Sequence, residues 1–198
     1  MIHYANGKNF QFNIEKPTKS SLKPKSFSHG NRGMAFESDI NETNDFYRNN
    51  GLCLVTKRPT PINVVKVDYS KGAIITNAYF EKQSTTDYNG VYKGRYLDFE
   101  AKSTKKTTSF PMANISKHQI EHLKQVIKHG GIAFFIIEFS TFDEVYFLDA
   151  QYVINYYENG DRKSIPYEAV KEHGKRIKKA FAPRLDYLAV IQELYGKS

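Results

Sequence analysis

The sequence predicts an α/β fold with a mixed central sheet flanked by helices, plus a protruding β-rich stalk. Three observations support this prediction. Amphipathic helical patterns stand at both ends and in the middle of the chain, an apolar run follows the middle one, and short alternating strands precede it. The order helix, strands, helix, strand, helix is typical of helices packed on a sheet with parallel and antiparallel pairs.

The chain of 198 residues suits one globular domain, which we place at residues 31–198. The segment before it, residues 1–30, is rich in lysine and has little apolar periodicity. Such a composition cannot bury enough surface to offset the entropy of ordering, so we expect a mostly disordered basic arm. The arm is either a solvated tail or a contact to a polyanion.

The first folded elements follow the arm. A helical stripe predicts a helix over residues 31–50, which Asn50-Gly51 ends, and residues 52–55 are predicted as a strand. An insert at about 60–82 then holds two alternating β-rich runs around Ser70-Lys71-Gly72. This pattern predicts a hairpin that projects from the body of the fold.

The next segment has the most informative pattern in the chain. Asp87-Tyr88-Asn89-Gly90 is a turn signal, and one strand is predicted after it, from Val91 to Lys102. Because side chains alternate along a strand, one face would be apolar: Leu97, Phe99 and Ala101. The other would be polar: Tyr96, Asp98, Glu100 and Lys102. Charged side chains at every second position need water, a partner or a metal ion.

A capped helix and a buried strand follow. Ser116 and Gln119 form the Ser-x-x-Gln capping box, and Gly130-Gly131 ends the helix. The apolar run Ile132–Phe139 predicts a central strand covered on both faces. The remaining predicted elements are a strand at Val145–Leu148, an exposed loop at Asn159–Lys163, a short helix at Pro166–His173 and a final helix at Pro183–Tyr195.

Charge and cysteine content narrow the function classes. Lys and Arg total 29 against 21 Asp and Glu, a net charge of +8. A positive net charge favours the binding of polyanions, although it also increases solubility. The single cysteine, Cys53, excludes an internal disulfide and fits a reducing compartment. With no secretion-signal pattern and no apolar run near the roughly 20 residues of a membrane span, we expect a cytoplasmic protein without membrane contact.

Asp87, Glu100 and Lys102 are the candidate catalytic residues. Phosphodiester hydrolysis uses divalent cations, an aligned water and a group that takes its proton or stabilises the transition state. Mg²⁺ is usually held by one or two carboxylates with other oxygens, which the two acids can supply. Glu100 and Lys102 would leave one strand face roughly 6–7 Å apart. The same three residues would also be consistent with ordinary charged side chains on the protein surface that have no catalytic role.

The surrounding motifs extend this pattern over the whole chain. They are Asn31-Arg32-Gly33-Met34, Lys57-Arg58-Pro59-Thr60-Pro61, residues 83–90 (QSTTDYNG), residues 94–102 (GRYLDFEAK), residues 118–122 (HQIEH) and Ala182-Pro183-Arg184. In this order they resemble the RecU family of Holliday junction resolvases from Gram-positive bacteria. The acid followed by Glu-x-Lys is similar to the wider PD-(D/E)xK nucleases, although here Thr86, not proline, precedes the acid.

The resemblance implies a restriction-endonuclease-like core that works as a homodimer on branched DNA, with Mg²⁺ as cofactor and the stalk entering the junction. It implies recombinase and branch-migration proteins as further partners. Asp87 and Glu100 match its metal-binding carboxylates, Thr85 and Gln119 its further metal positions, and Lys102 its transition-state lysine. Gln119 is equally explained by the capping box, and Thr85 by the shape of the turn.

The function expected from this resemblance is structure-selective cleavage of four-way junctions in homologous recombination and repair. Candidate DNA contacts are Arg32, Lys57, Arg58, Lys66, Lys71 and Arg95. Two alternatives stay open: a junction-binding or remodelling protein without essential nuclease activity, and a restriction-type nuclease for linear duplex. Glu37 is either a further acid or a solvated helix residue. His118 and His122 are four residues apart, but Gln119 follows His118 where a zinc-protease helix requires a glutamate directly after its first histidine.

Overall fold

The computed structural model describes residues 29–70, 72–81, 85–160 and 162–196, apart from the side chains of residues 29–32. The predicted basic arm lies outside these residues except at its end. His29 and Gly30 already belong to the first helix, so the folded part of the chain begins two residues earlier than predicted.

Helices and strands alternate along the described chain. The helices are α1 (His29–Asn49), α2 (Lys117–Lys128), α3 (Ala150–Asn159), α4 (Tyr167–His173) and α5 (Tyr187–Tyr195), with a 3₁₀ turn at Met112–Asn114. The strands are β1 (Leu54–Lys57), β2 (Ile62–Asp68), β3 (Ile74–Phe80), β4 (Tyr88–Tyr92), β5 (Arg95–Thr104), β6 (Ser109–Pro111), β7 (Ile132–Phe139), β8 (Glu144–Asp149), β9 (Ser164–Pro166) and β10 (Lys175–Arg176). Within the described ranges, no helix has both the length and the apolar character needed to cross a bilayer.

The central sheet is mixed. In the described part of the chain it has six strands in the order β1-β4-β5-β7-β8-β10. β5 and β7 pair in parallel because α2 carries the chain back between them. The other neighbours are antiparallel. The predicted α/β architecture, a mixed central sheet flanked by helices, is confirmed.

An apolar core lies on each face of this sheet, as predicted for the run that forms β7. Phe134 and Ile136 point into the core under α1 and α5. Phe135 and Ile137 point into the opposite core, under α2 and α3. All four side chains are fully buried. Burial on both faces explains why the sequence of this strand is apolar at every position except Glu138.

The predicted stalk is a two-stranded hairpin. Among the described strands, β2 and β3 pair with each other and with no third strand, from Ile62 opposite Phe80 to Asp68 opposite Ile74. Large apolar side chains on both strands are exposed, with Phe80 at 79%. The backbone hydrogen bonds between β2 and β3 therefore hold this hairpin together, and it is separate from the central sheet.

The strand predicted over Val91–Lys102 begins too early, because the chain reverses at Lys93-Gly94 and β5 starts only at Arg95. Lys93 and Gly94 both have positive φ, 46° and 77°, as a tight two-residue hairpin turn requires. The Asn89-Gly90 pair lies inside β4 and is not a turn. A Cβ on Gly90 would stand 2.1 Å from the carbonyl oxygen of Leu54, so this glycine permits the close approach of β1.

Two other boundaries differ from the predictions, and one helix was not predicted. The first strand is Leu54–Lys57, two residues later than expected. Helix α5 begins at Tyr187, not Pro183, because the preceding residues pair back on the chain through Asp186 N–H and the Lys178 carbonyl. Helix α3 was missed, since its aromatic and β-branched residues favour strands. The sequence feature that marks the start of this helix is the N-cap residue Asp149, whose side chain accepts a hydrogen bond from Gln151 N–H.

Candidate active site

Asp87 and Glu100 face each other across the β4–β5 hairpin. Tyr88 is opposite Phe99 in the ladder, so the next pair outward is Asp87 and Glu100. Opposed side chains on antiparallel strands share a face. The Asp87 backbone N–H donates to Glu100 Oε2 at 3.1 Å, and the Ala101 N–H donates to Asp87 Oδ2 at 3.2 Å. The backbone of each strand thus holds the carboxylate of the other.

Lys102 completes the group that the sequence singled out. Its Nζ lies 2.5 Å from Glu100 Oε1, on the same face of β5. The side chain of Glu100 is 1% exposed and that of Lys102 is 23% exposed. The structure therefore brings all three candidate catalytic residues together, with the buried carboxylate between an acid and an ammonium.

The pKa of Glu100 is raised to about 7. Burial is the largest cause, and the negative charge of Asp87 raises it further, while Lys102 lowers it. A second positive charge at this position would favour the ionised carboxylate. A divalent cation bound between the two carboxylates would supply this positive charge.

We expect Glu100→Gln to stabilise the metal-free protein above neutral pH. Because the folded-state pKa of about 7 exceeds the usual 4.5, the contribution of Glu100 to stability is full below pH 4.5 and is lost as pH rises through 7. At about pH 8 the variant should gain about 1–3 kcal/mol in the free energy of unfolding. Urea unfolding in EDTA across this pH window measures it. A difference that does not depend on pH would contradict the explanation.

Thr85 lies on the loop before Asp87, and Gln119 lies in the first turn of α2. Thr85 is half-buried two residues before Asp87. Gln119 is buried on α2, and its Oε1 accepts from Ser116 N–H at 3.0 Å, which confirms the predicted capping box. An amide oxygen has two lone pairs, so this bond leaves one for another ligand. The capping and metal interpretations of Gln119 are therefore compatible.

A polar cavity of about 310 Å³ opens beside Asp87. Its lining includes Glu37, Lys57 and Ser103. Glu37 and Lys57 form an ion pair, and each side chain is nearly half exposed. Glu37 therefore lies at the edge of the candidate site and is not only a solvated helix residue.

A buried carboxylate that the sequence did not single out lies next to the site. Asp98 is fully buried, and Arg58 Nη2 donates to its Oδ2 at 2.7 Å. His122 Nε2 and the Tyr96 hydroxyl each lie 2.9 Å from the same oxygen, and the Thr86 hydroxyl donates to Oδ1. We call these five residues the Asp98 hub. Two spacings in the sequence could have indicated this hub. Asp98 stands two residues before Glu100, and His122 stands three residues after Gln119.

Hydrogen bonding keeps Asp98 ionised. Burial by itself raises the pKa of this carboxyl. The hydrogen bonds from His122 and Thr86 and the charge of Arg58 outweigh burial, so the pKa is lowered from its usual value. Two buried carboxylates two residues apart on β5, Asp98 and Glu100, thus have pKa values that their surroundings move in opposite directions.

The predicted DNA contacts are dispersed. Lys57 and Arg58 both line the cavity, and the Arg58 side chain is 18% exposed and bonded within the Asp98 hub. Lys66 is exposed on the hairpin. Arg95 lies at the other end of β5 from Lys102, with its guanidinium 5.4 Å from the ring centre of Tyr195. Lys71 and the Arg32 side chain lie outside the described residues.

The donor set fits a hard cation that keeps part of its water. Among the described residues, no three or more His, Cys, Asp or Glu side chains cluster as metal ligands. Two carboxylates, a nearby threonine and an amide oxygen are nonetheless all oxygen donors. Mg²⁺ typically binds through one or two carboxylates and retains several waters. The buried charge of Glu100 is consistent with such an ion.

Comparisons with known proteins point to one family. A family model described as "Recombination protein U" matches residues 31–193. "Holliday junction resolvase RecU" of Geobacillus sp. (strain WCH70) is 47% identical over 200 residues, and the protein of that name from Bacillus cereus (strain AH820) is 49% identical over 199; each match covers 98% of both chains. The structure of Archaeoglobus fulgidus Hjc, "a Holliday junction resolvase", is similar with a TM-score of 0.45 and 14% identity, over 73% of this chain and 95% of that one.

Proposed function

The chain belongs to the RecU family, and we propose that it is a Mg²⁺-dependent endonuclease that resolves four-way DNA junctions in recombination and repair. The observation that carries this proposal is the meeting of Asp87, Glu100 and Lys102 on one face of the β4–β5 hairpin. Two carboxylates can hold a divalent cation, and an adjacent ammonium can stabilise the negative charge that develops in metal-assisted phosphodiester hydrolysis.

Asp87 and Glu100 would hold Mg²⁺, with Thr85 and the oxygen of Gln119 as further metal positions. The bound ion would neutralise charge on the phosphate and lower the pKa of a water molecule. Lys102 has two successive tasks in this proposal. Without the ion its ammonium neutralises Glu100. When phosphate enters, the ammonium turns to the scissile group and stabilises the negative charge that develops there.

Branched DNA would bind through basic and apolar surfaces together. We propose phosphate contacts from the basic arm at residues 1–30 and from lysines at the cavity and on the stalk, such as Lys57 and Lys66. The stalk at about 60–82 presents exposed apolar side chains, which suit the open centre of a junction or a protein partner. Recombinase and branch-migration proteins are the partner classes we expect.

A homodimer follows from the symmetry of the substrate. A four-way junction is resolved by nicking two strands of like polarity. A two-fold dimer presents two copies of one site in the matching arrangement. We therefore propose that two copies of the domain at residues 31–198 act together on one junction and leave 5′-phosphate ends.

The test uses a synthetic four-way junction and a linear duplex of the same arm sequences. We expect paired nicks in the junction with Mg²⁺, no nicks with chelator, and little competition from excess duplex. Equal cleavage of both substrates would favour the duplex-nuclease alternative. Tight junction binding with no cleavage in Mg²⁺ or Mn²⁺ would favour a binding protein and overturn the proposal.

A further inference from the structure

We propose that Asp98 is a positioning residue that holds the metal-binding segments in their relative places. The inference rests on the proposed function, because the segments concerned are those of the proposed metal site. It extends that function by assigning to the Asp98 hub a role that acts through the segments carrying the metal ligands.

The hub links the three segments that carry the proposed metal ligands. Thr86, which donates to Asp98, immediately precedes Asp87. Asp98 itself lies two residues before Glu100 on the same face of β5. His122, whose Nε2 lies 2.9 Å from Asp98, is one helical turn beyond Gln119 on α2. Hydrogen bonds to one carboxylate thus join a loop, a strand and a helix.

Arg58 adds a second connection to Asp87. Its guanidinium donates to Asp98 at 2.7 Å and to the Thr86 hydroxyl at 3.0 Å. Its backbone N–H donates to the Asp87 carbonyl at 2.8 Å. The loop that carries Asp87 is therefore held by both the side chain and the main chain of Arg58. A shift of Asp98 would be passed directly to this loop.

Small shifts matter because Mg²⁺ requires nearly ideal octahedral geometry. Groups that orient metal ligands typically change metal affinity by about 10–100-fold when they are removed. A network that only stabilised the fold would lower the melting temperature and leave the affinity of the folded protein for metal unchanged. Metal affinity therefore separates a positioning role from a merely structural one.

The chain offers a matched control. Glu144 on β8 accepts from the hydroxyls of Tyr146 and Tyr167 at 2.8 and 2.5 Å, and Arg176 Nη2 lies 3.1 Å from it. It is again a carboxylate held by tyrosine hydroxyls and an arginine. The contacts described for Glu144 are these three, and it is adjacent in sequence to none of the proposed metal ligands. Glu144→Gln should disturb stability without changing the metal site.

The experiment compares full-length wild type with Asp98→Asn, His122→Phe, His122→Gln and Glu144→Gln. Mn²⁺ binding is measured by electron paramagnetic resonance, the Mg²⁺ dependence of junction cleavage by a nicking assay, and folding by thermal unfolding. We expect Asp98→Asn and His122→Phe to weaken Mn²⁺ binding about tenfold or more and to raise the Mg²⁺ needed for cleavage. His122→Gln keeps an N–H donor and should restore most of the affinity.

Glu144→Gln should bind Mn²⁺ within about twofold of wild type even if its melting temperature falls. If Asp98→Asn does not fold, the two His122 variants decide the question, because that side chain is 25% exposed and tolerates change. Unchanged Mn²⁺ affinity in folded hub variants, with a wild type that binds Mn²⁺ and cleaves junctions, would overturn the positioning role alone. A wild type that neither binds Mn²⁺ nor cleaves would overturn the proposed function as well.

Discussion

Asp87→Asn should lower the rate of junction cleavage by about 10³-fold, equivalent to about 4 kcal/mol of transition-state stabilisation. The substitution keeps the size of the side chain and removes one of the two opposed carboxylates. The amide can still accept from the Ala101 N–H, so the β4–β5 hairpin should stay intact. Single-turnover nicking in Mg²⁺ measures the rate, and gel mobility in Ca²⁺ measures junction binding, which should be retained.

The control for this variant is Asp45→Asn, the same chemical change on an exposed part of α1. The Asp45 side chain is 57% exposed and pairs with Arg48. Its loss should leave cleavage within about twofold of wild type, as expected for an exposed ion pair. Retained cleavage in Asp87→Asn would remove the basis of the proposed mechanism. Loss of both binding and cleavage would show that the carboxylate serves the fold.

Lys102→Met should lower cleavage by about 10²–10³-fold while leaving cation binding as tight as in wild type or tighter. The ammonium lies 2.5 Å from Glu100 Oε1, so in the proposed mechanism it competes with a cation for that carboxylate. Removal of the ammonium frees Glu100 but leaves the phosphate without its proposed positive partner. Mn²⁺ binding measures the affinity for a cation, and single-turnover nicking measures the rate of cleavage.

The matched control is Lys128→Met in the last turn of α2, an exposed lysine on the same helix as Gln119. It should leave both measurements unchanged. Weaker Mn²⁺ binding in Lys102→Met would mean that the lysine supports the carboxylates instead of competing for them. This outcome would contradict the two tasks proposed for its ammonium.

Elements with strong local signals were predicted closely from the chain alone. The near-continuous apolar run Ile132–Phe139 coincides with β7. The capping box at Ser116 and Gln119 marks the start of α2, and the glycines after Lys128 mark its end. These signals lie in the residues of the element itself, so no partner is needed to read them.

Signals that serve a distant contact were misinterpreted. Gly90 follows Asn89 and so resembles a hairpin turn, yet its lack of a side chain serves the approach of Leu54 on β1. The true turn, Lys93-Gly94, is a weaker pattern in the chain. Helix α3 was missed for a related reason, since its strand-like residues pack against the buried core beneath it.

The sequence by itself determined which residues share a face of β5, because alternation of side chains is local to a strand. Glu100 and Lys102 were therefore found together from their spacing. Only the tertiary structure decided that Asp87 stands opposite Glu100 and that Asp98 is held by Arg58 and His122. These contacts depend on strand register and helix packing, which arise between segments that are distant in the chain and are selected by burial of the whole core.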